Sequence, residues 1–245
     1  MRYLVLSDLH ANLPATRAVV AHAGARGFDR VVVLGDLVGY GAQPNDVIDE
    51  VRALEPAAVV RGNHDKVACG ISDGSQFNEV ALEAILWTRA ALGHDQLEYL
   101  RGLPAGPIDA GGFLLSHGAP EDEEAYLFTR ADASVALKGT DFSLAMFGHT
   151  HFACAFHAAE PGPRLRFLSG TEDTVKMSPG ERWLINPGSI GQPRDQDPRA
   201  SYALYDSAAA ELTVIRVPYD IPAAQREIRA AGLPEVLAAR LALGV

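Results

Sequence analysis

Short aliphatic runs alternate with helically spaced apolar positions through the N-terminal part of the chain. RYLVLS at 2–7, RVVVLG at 30–35 and AAVV at 57–60 read as strands, because β-branched and aliphatic residues follow one another with little polar alternation. Between them, Pro14–Arg26 and Pro44–Leu54 have helical spacing, and each opens on a proline suited to a first helical turn. This order predicts βαβ units whose parallel strands are buried on both faces. Asn78–Leu92, with Asn78 as cap, and a shorter segment at His94–Leu100 predict a helical insertion over residues 66–110. Beyond it, GFLLSHG at 112–118, SLAMFGHTHFA at 143–153, RLRFL at 164–168, RWLIN at 182–186, SYALYD at 201–206 and ELTVIRV at 211–217 make the second half rich in strands. Residues 222–243 predict two helices divided near Gly232–Pro234. The class expected is α/β. With no linker-like stretch and no repeat in 245 residues, the whole of 1–245 is expected to form a single domain.

Several of these strands end in residues able to hold metal ions. SDLH supplies Asp8 and His10, GD supplies Asp36, GNHD supplies Asn63 and His64, SHG supplies His117, and GHTH supplies His149 and His151. The carboxyl ends of parallel strands share one crevice in an open α/β sheet, so clusters far apart in sequence are expected to meet there. Of the 8 histidines, only His22, His94 and His157 lie elsewhere, and they read as surface or packing residues. Imidazole, carboxylate and amide oxygen together suit Mn²⁺, Fe or Zn²⁺ better than an all-oxygen Mg²⁺ or Ca²⁺ site. His149 and His151 stand two apart, which in extended backbone aims both to one side.

A net charge of −10 argues against bulk nucleic-acid or anionic-membrane binding, so any phosphate must be held by a local positive centre. Cys69 and Cys154 form no C-x-x-C pair and read as reduced, packed thiols. The opening MRYLVLSD reads directly as a strand, without a leader pattern, and the apolar runs are too short to span a bilayer. A cytoplasmic location is expected.

The order D-x-H, G-D, G-N-H-D, S-H-G, G-H-x-H resembles that of the calcineurin-like metallophosphoesterase superfamily, from residue 3 to about residue 191. GDLVGYG and NPGSIGQPRD resemble its small prokaryotic phosphoesterases, relatives of diadenosine tetraphosphatase. The resemblance implies a four-layer sandwich of two face-to-face mixed β-sheets flanked by helices. It also implies two divalent metal ions, one on Asp8, His10, Asp36 and His151 and the other on Asp36, Asn63, His117 and His149, with Asp36 bridging. His64 is then the general acid, and hydrolysis proceeds by in-line attack of a metal-bridging hydroxide on a phosphodiester or nucleotide-type phosphate. With that hydroxide, two divalent ions on Asp8 and Asp36 leave a surplus of about one positive charge for a small phosphorylated substrate. Asp65 is either the orienter of His64 or a turn-stabilising carboxylate.

Protein Ser/Thr phosphatases of this superfamily continue the second motif as G-D-x-V-D-R-G, whereas Leu37–Gly41 read LVGYG. The aspartate that would pair with the catalytic histidine and the phosphate-clamping arginine are both missing, which favours a diester or nucleotide substrate. Arg61 or Arg194 is left to replace the cation, although Arg61 also reads as a strand-end ion pair. The alternatives are a phosphoprotein or monoester phosphatase and a scaffold without turnover; a scaffold would show gaps in the ligand set. The loop at 185–200 reads first as support beneath the metals. In the insertion, Phe77, Trp87 and Tyr99 suit ordinary packing better than a lid.

Overall fold

A computed structural model describes residues 1–245. In chain order its elements are β1 (Arg2–Leu6), α1 (Leu13–Arg26), β2 (Arg30–Val33), α2 (Pro44–Ala53), β3 (Ala58–Val59), α3 (Asn63–Ala68), α4 (Glu79–Ala91), α5 (His94–Gly102), β4 (Ile108–Asp109) and β5 (Leu114–Leu115). There follow α6 (Arg130–Gly139), β6 (Leu144–Met146), β7 (Ala153–His157), β8 (Arg164–Phe167), β9 (Glu172–Lys176), β10 (Trp183–Pro187), β11 (Ala200–Asp206), β12 (Glu211–Val217), α7 (Ile221–Ala230) and α8 (Glu235–Leu241).

The strands form two mixed six-stranded sheets, ordered β3-β2-β1-β11-β12-β9 and β4-β5-β6-β10-β7-β8. In the first, β1, β2 and β3 are parallel, with Leu6 opposite Val33 and Val33 opposite Val59. In the second, β5, β6 and β10 are parallel, with Leu115 opposite Met146. Strands in such register end together, so the loops that follow them crowd one edge of each sheet.

Side-chain alternation explains why the aliphatic runs are unbroken. Along β1, Tyr3 and Val5 point into the core between the sheets with Val32, Leu34, Met146 and Ile185. Leu4 and Leu6 point the other way, into a layer with Val19, Val47, Ile48 and Val51 of α1 and α2. Both faces are apolar because both are covered. On the outer face of the second sheet, Ala133, Ala136 and Leu137 of α6 pack on Phe147, Phe156 and Leu184. The expected four-layer α/β sandwich is therefore the fold observed. No helix is long and apolar enough to cross a membrane.

The insertion is built into this scheme. Ile85 and Leu100 join the helical layer on the first sheet, while Ala81 and Ala84 pack against Ile228, Leu237 and Leu241 of α7 and α8. The sequence reading lacks α6, β4, β7 and β9. For α6 a signal was present: Thr129 and Asp132 form a capping box, with Asp132 N donating to Thr129 Oγ1 (3.2 Å) and Thr129 N to Asp132 Oδ2 (2.8 Å). At the sheet margin, β9 is mostly polar and half-exposed, which removes the apolar run that marks the other strands.

Candidate metal centre

The loops that follow β1, β2, β3, β5 and β6 are knitted together by backbone bonds. Asp8 N donates to Gly35 O (3.1 Å), His10 N to Asp36 O (3.0 Å) and Gly148 N to His117 O (2.8 Å). Carboxylates brace the same turns: Asp36 Oδ1 accepts from His64 N (2.9 Å) and Asp8 Oδ1 from His149 N (3.1 Å). Asp8, His10, Asp36, His149 and His151 all have left-handed backbone, with φ of 51°, 48°, 52°, 66° and 62°. Such conformations are costly for residues other than glycine and cluster at functional sites. They also correct the expectation for GHTH. That segment is not extended, because β6 has ended at Met146; His149 and His151 fall in two neighbouring donor groups all the same.

One group is Asp8, His10, Asp36 and His151, and the other is Asp36, His117 and His149; within each, one donor atom per residue lies within 4.8 Å of the rest. All are buried, and Asp36 belongs to both. Asn63 joins the second group, with Oδ1 3.2 Å from His117 Nε2.

Backbone carbonyls settle which nitrogen each imidazole turns inward. Nδ1 of His10 faces Val38 O (3.1 Å), Nδ1 of His117 faces Leu34 O (2.8 Å) and Nδ1 of His151 faces Gln192 O (2.6 Å). A carbonyl only accepts, so Nδ1 carries the proton and Nε2 of the neutral ring keeps its lone pair. His149 is reversed: Nε2 donates to Glu124 O (3.1 Å), which leaves Nδ1 free. Nε2 of His10 and Nε2 of His151 then face each other at 3.1 Å as two acceptors, with Asp36 Oδ2 3.6 Å from the first and Asp8 Oδ1 3.4 Å from the second. A cation between them satisfies all four, so these residues fit a metal ion.

Protonation points the same way. Burial holds His10 and His151 well below their usual range and His149 at about 3, all neutral. Burial pulls on His117 too, but Asp36 Oδ2 at 3.4 Å outweighs it and lifts His117 to about 10. Its proton stands where the carboxylate calls for positive charge.

His64 is buried beside these groups, its ring 4.4 Å from Tyr40 and 4.6 Å from Phe77, edge-on to His10. A Cβ at Gly39 would lie 2.9 Å from His64 Cγ, so glycine makes room for the ring. Asp65 does not orient His64; its carboxylate accepts from Leu37 N (2.9 Å), Val38 N (3.3 Å) and Gly62 N (2.9 Å) and so stabilises the turn. The ring is held by packing alone, and its buried Nδ1 has no hydrogen-bond partner.

A cavity above the candidate ligands is walled by Tyr40, Gln76, Phe77, Asn78, Tyr126 and Arg194. Of the aromatics in the insertion, only Phe77 reaches it; Trp87 packs against the C-terminal helices and Tyr99 lies under Arg52. Arg61 pairs with Glu123 (3.1 Å). The loop at 185–200 supports the centre, with Ser189 Oγ donating to Asp8 O (2.9 Å) and Gln192 O holding His151. His22 bonds Tyr202, His157 stacks on Trp183 and His94 is exposed, as expected. Sequence reasoning missed Tyr126, whose ring lies 3.8 Å from that of His149, and the Glu124 carbonyl; neither carries a local signal.

Residues 1–210 match the calcineurin-like phosphoesterase superfamily domain. The chain is 37% identical over 245 residues to the uncharacterized protein MJ0912 of Methanocaldococcus jannaschii, covering 98% of this chain and 97% of that one. Among solved structures, a metallophosphoesterase from Sphaerobacter thermophilus superposes with a TM-score of 0.87 at 40% identity over 100% of this chain and 99% of that one. The hypothetical protein PH1004 from Pyrococcus horikoshii shares the fold, with a TM-score of 0.79 at 20% identity over 100% and 98%. Matched over most of its length, and carrying buried Asp and His clusters suited to divalent metals where its strands converge, the chain belongs to the calcineurin-like phosphoesterase superfamily and is a phosphoric ester hydrolase.

Proposed function

We propose that the chain is a dinuclear metal-dependent phosphoesterase acting on a phosphodiester or nucleotide-type phosphate. One observation carries this reading: two donor groups share Asp36, and in one of them imidazole lone pairs face each other at 3.1 Å. Asp8, His10, Asp36 and His151 would hold one ion through His Nε2, and Asp36, Asn63, His117 and His149 the other, with His149 binding through Nδ1. Mn²⁺, Fe or Zn²⁺ suits these donors. Such ions, when bound, lower the pKa of water and neutralise charge on phosphoryl oxygens.

The remaining work falls to side chains. Burial holds His64 at about 4, so it is neutral until an anion enters the cavity and favours its protonated form. Tyr40 and Phe77 keep its ring in place to deliver that proton to the leaving oxygen. A diester or nucleotide is favoured because Tyr40, Phe77 and Tyr126 offer the second substituent an aromatic wall. Tyr126 is 46% exposed, leaving surface for a planar base. We read the chain as one domain working in the cytoplasm, in keeping with free, buried Cys69 and Cys154.

The test is hydrolysis by protein stripped and reloaded with Mn²⁺, Fe²⁺ or Zn²⁺, across phosphomonoesters, linear and cyclic diesters and dinucleoside polyphosphates. Turnover of diesters or nucleotides above phosphopeptides supports the proposal. Inactivity towards every substrate with two ions bound per chain makes the protein a scaffold.

A further inference from the structure

We propose that Arg194 is an anion clamp whose guanidinium binds the oxygens of the scissile phosphate; the inference rests on the phosphoesterase reading above. Arg194 follows β10 in the chain and lines the same cavity as Asp36, Asn63, His64, His149 and His151. Its Nη2 donates to Tyr40 Oη (3.3 Å) and Gln192 Oε1 (3.1 Å), both neutral, while its buried Nε has no acceptor. The carboxylates next to it in sequence are engaged elsewhere, Asp195 by Arg216 and Asp197 by Arg199. Arg61, the other cation considered for this role, is neutralised by Glu123.

A guanidinium with a buried, unanswered N–H and no counter-charge is unfavourable. Placing it beside residues that gather metal cations makes it more so, unless an anion comes between them. A phosphate oxygen supplies both the missing acceptor and the missing charge. Tyr40 explains the placement. It stands in LVGYG, where an arginine is absent; its ring lies 5.7 Å from Arg194 Cζ, its hydroxyl accepts from Arg194, and it packs on His64. The positive charge missing from the loop after β2 is thus delivered from the loop after β10, on the His64 side of the cavity.

The experiment titrates inorganic phosphate into the full-length, Mn²⁺-loaded protein by calorimetry, with metal content and circular dichroism recorded for each variant. Arg194→Ala should weaken phosphate binding about 10- to 100-fold, the span of a charge-assisted hydrogen bond. Metal content should stay unchanged, because Arg194 is no ligand. Arg194→Lys should recover part of the loss, since it keeps the charge without the planar fork. Arg61→Ala should bind phosphate like the wild type. Wild-type affinity in a folded, metal-loaded Arg194→Ala protein, or an equal loss in Arg61→Ala, overturns the clamp. Because the titration needs no turnover, phosphate binding through Arg194 in a chain that cleaves no ester would defeat the phosphoesterase proposal and leave the clamp standing.

Discussion

Replacing Gly62 by alanine should disable the metal centre through a single methyl group. Gly62 caps α3 where the loops after β2 and β3 touch, and an added Cβ would lie 2.6 Å from Asp36 Cγ and closer still to Asp36 Oδ1 and N. Carbon atoms in van der Waals contact stand about 3.5–4.0 Å apart, so the carboxylate must retreat by about 1 Å. Asp36 N is a backbone atom, so the chain at Asp36 must shift with the carboxylate, and it has little room to do so. Gly35, just before Asp36, has a φ of +92° and sits so near the loop after β3 that a Cβ there would lie 2.6 Å from Gly62 N, and Asp36 O accepts from His10 N. Overpacking of this kind costs about 1–3 kcal/mol. Moving Asp36 Oδ1 off His64 N breaks a buried charge-assisted bond worth a further ~1–3 kcal/mol. The metal-free protein should therefore lose about 2–6 kcal/mol in urea unfolding, and plasma mass spectrometry should find fewer than two ions per chain. Gly102→Ala is the control. It ends α5 with no atom within 4 Å of the new Cβ and should be neutral or stabilising by up to about 1 kcal/mol. A Gly62→Ala protein as stable as the wild type, with both ions retained, would refute the close crossing of these loops at Asp36.

Asp36→Asn should reduce metal content more than Asp8→Asn, because Asp36 alone is shared by both donor groups; two ions bound at wild-type affinity in the Asp36 variant would contradict the sharing. His64→Ala should lose about 10²- to 10⁴-fold in rate on an alkyl phosphodiester and far less on the nitrophenyl ester, with both ions still bound, because only the alkoxide needs a proton; a uniform loss would remove the acid. Burial pushes Glu123 up, but hydrogen bonds from Arg61 and Lys66 outweigh it and hold its carboxyl below the ordinary 4.5. A depressed carboxyl adds stability above its unfolded value and loses it as pH falls through the folded one. The gap in urea midpoint between wild type and Glu123→Gln should accordingly be constant near neutrality and close below about pH 4.5; a gap that widens on acidification would show the ion pairs to be unimportant.

β4, β7 and β9 were not legible in the sequence, but most strands, the parallel order of β1, β2 and β3, and the polar residues at the strand ends were. RVVVLGD shows why: an unbroken aliphatic run must be covered on both faces, and the first polar residue after it must lie at the sheet's edge. Hydrophobic burial is a local, side-chain property, and it reads out residue by residue. Hydrogen-bond geometry is not local. The carbonyls that turn His10, His117, His149 and His151 inward belong to Val38, Leu34, Glu124 and Gln192, each on a distant loop, and no side chain advertises a carbonyl. The same holds for the two arginines: identical in chemistry, Arg61 and Arg194 were separated only when folding set Glu123 against one and left the other facing the cavity. Local pattern even misled at GHTH, where the alternation of a strand was expected and His149 and His151 instead take left-handed backbone, each in a different donor group. A sequence can determine which groups are available to a site; the opposing loops that desolvate and hydrogen-bond them decide which atom of each group faces the substrate.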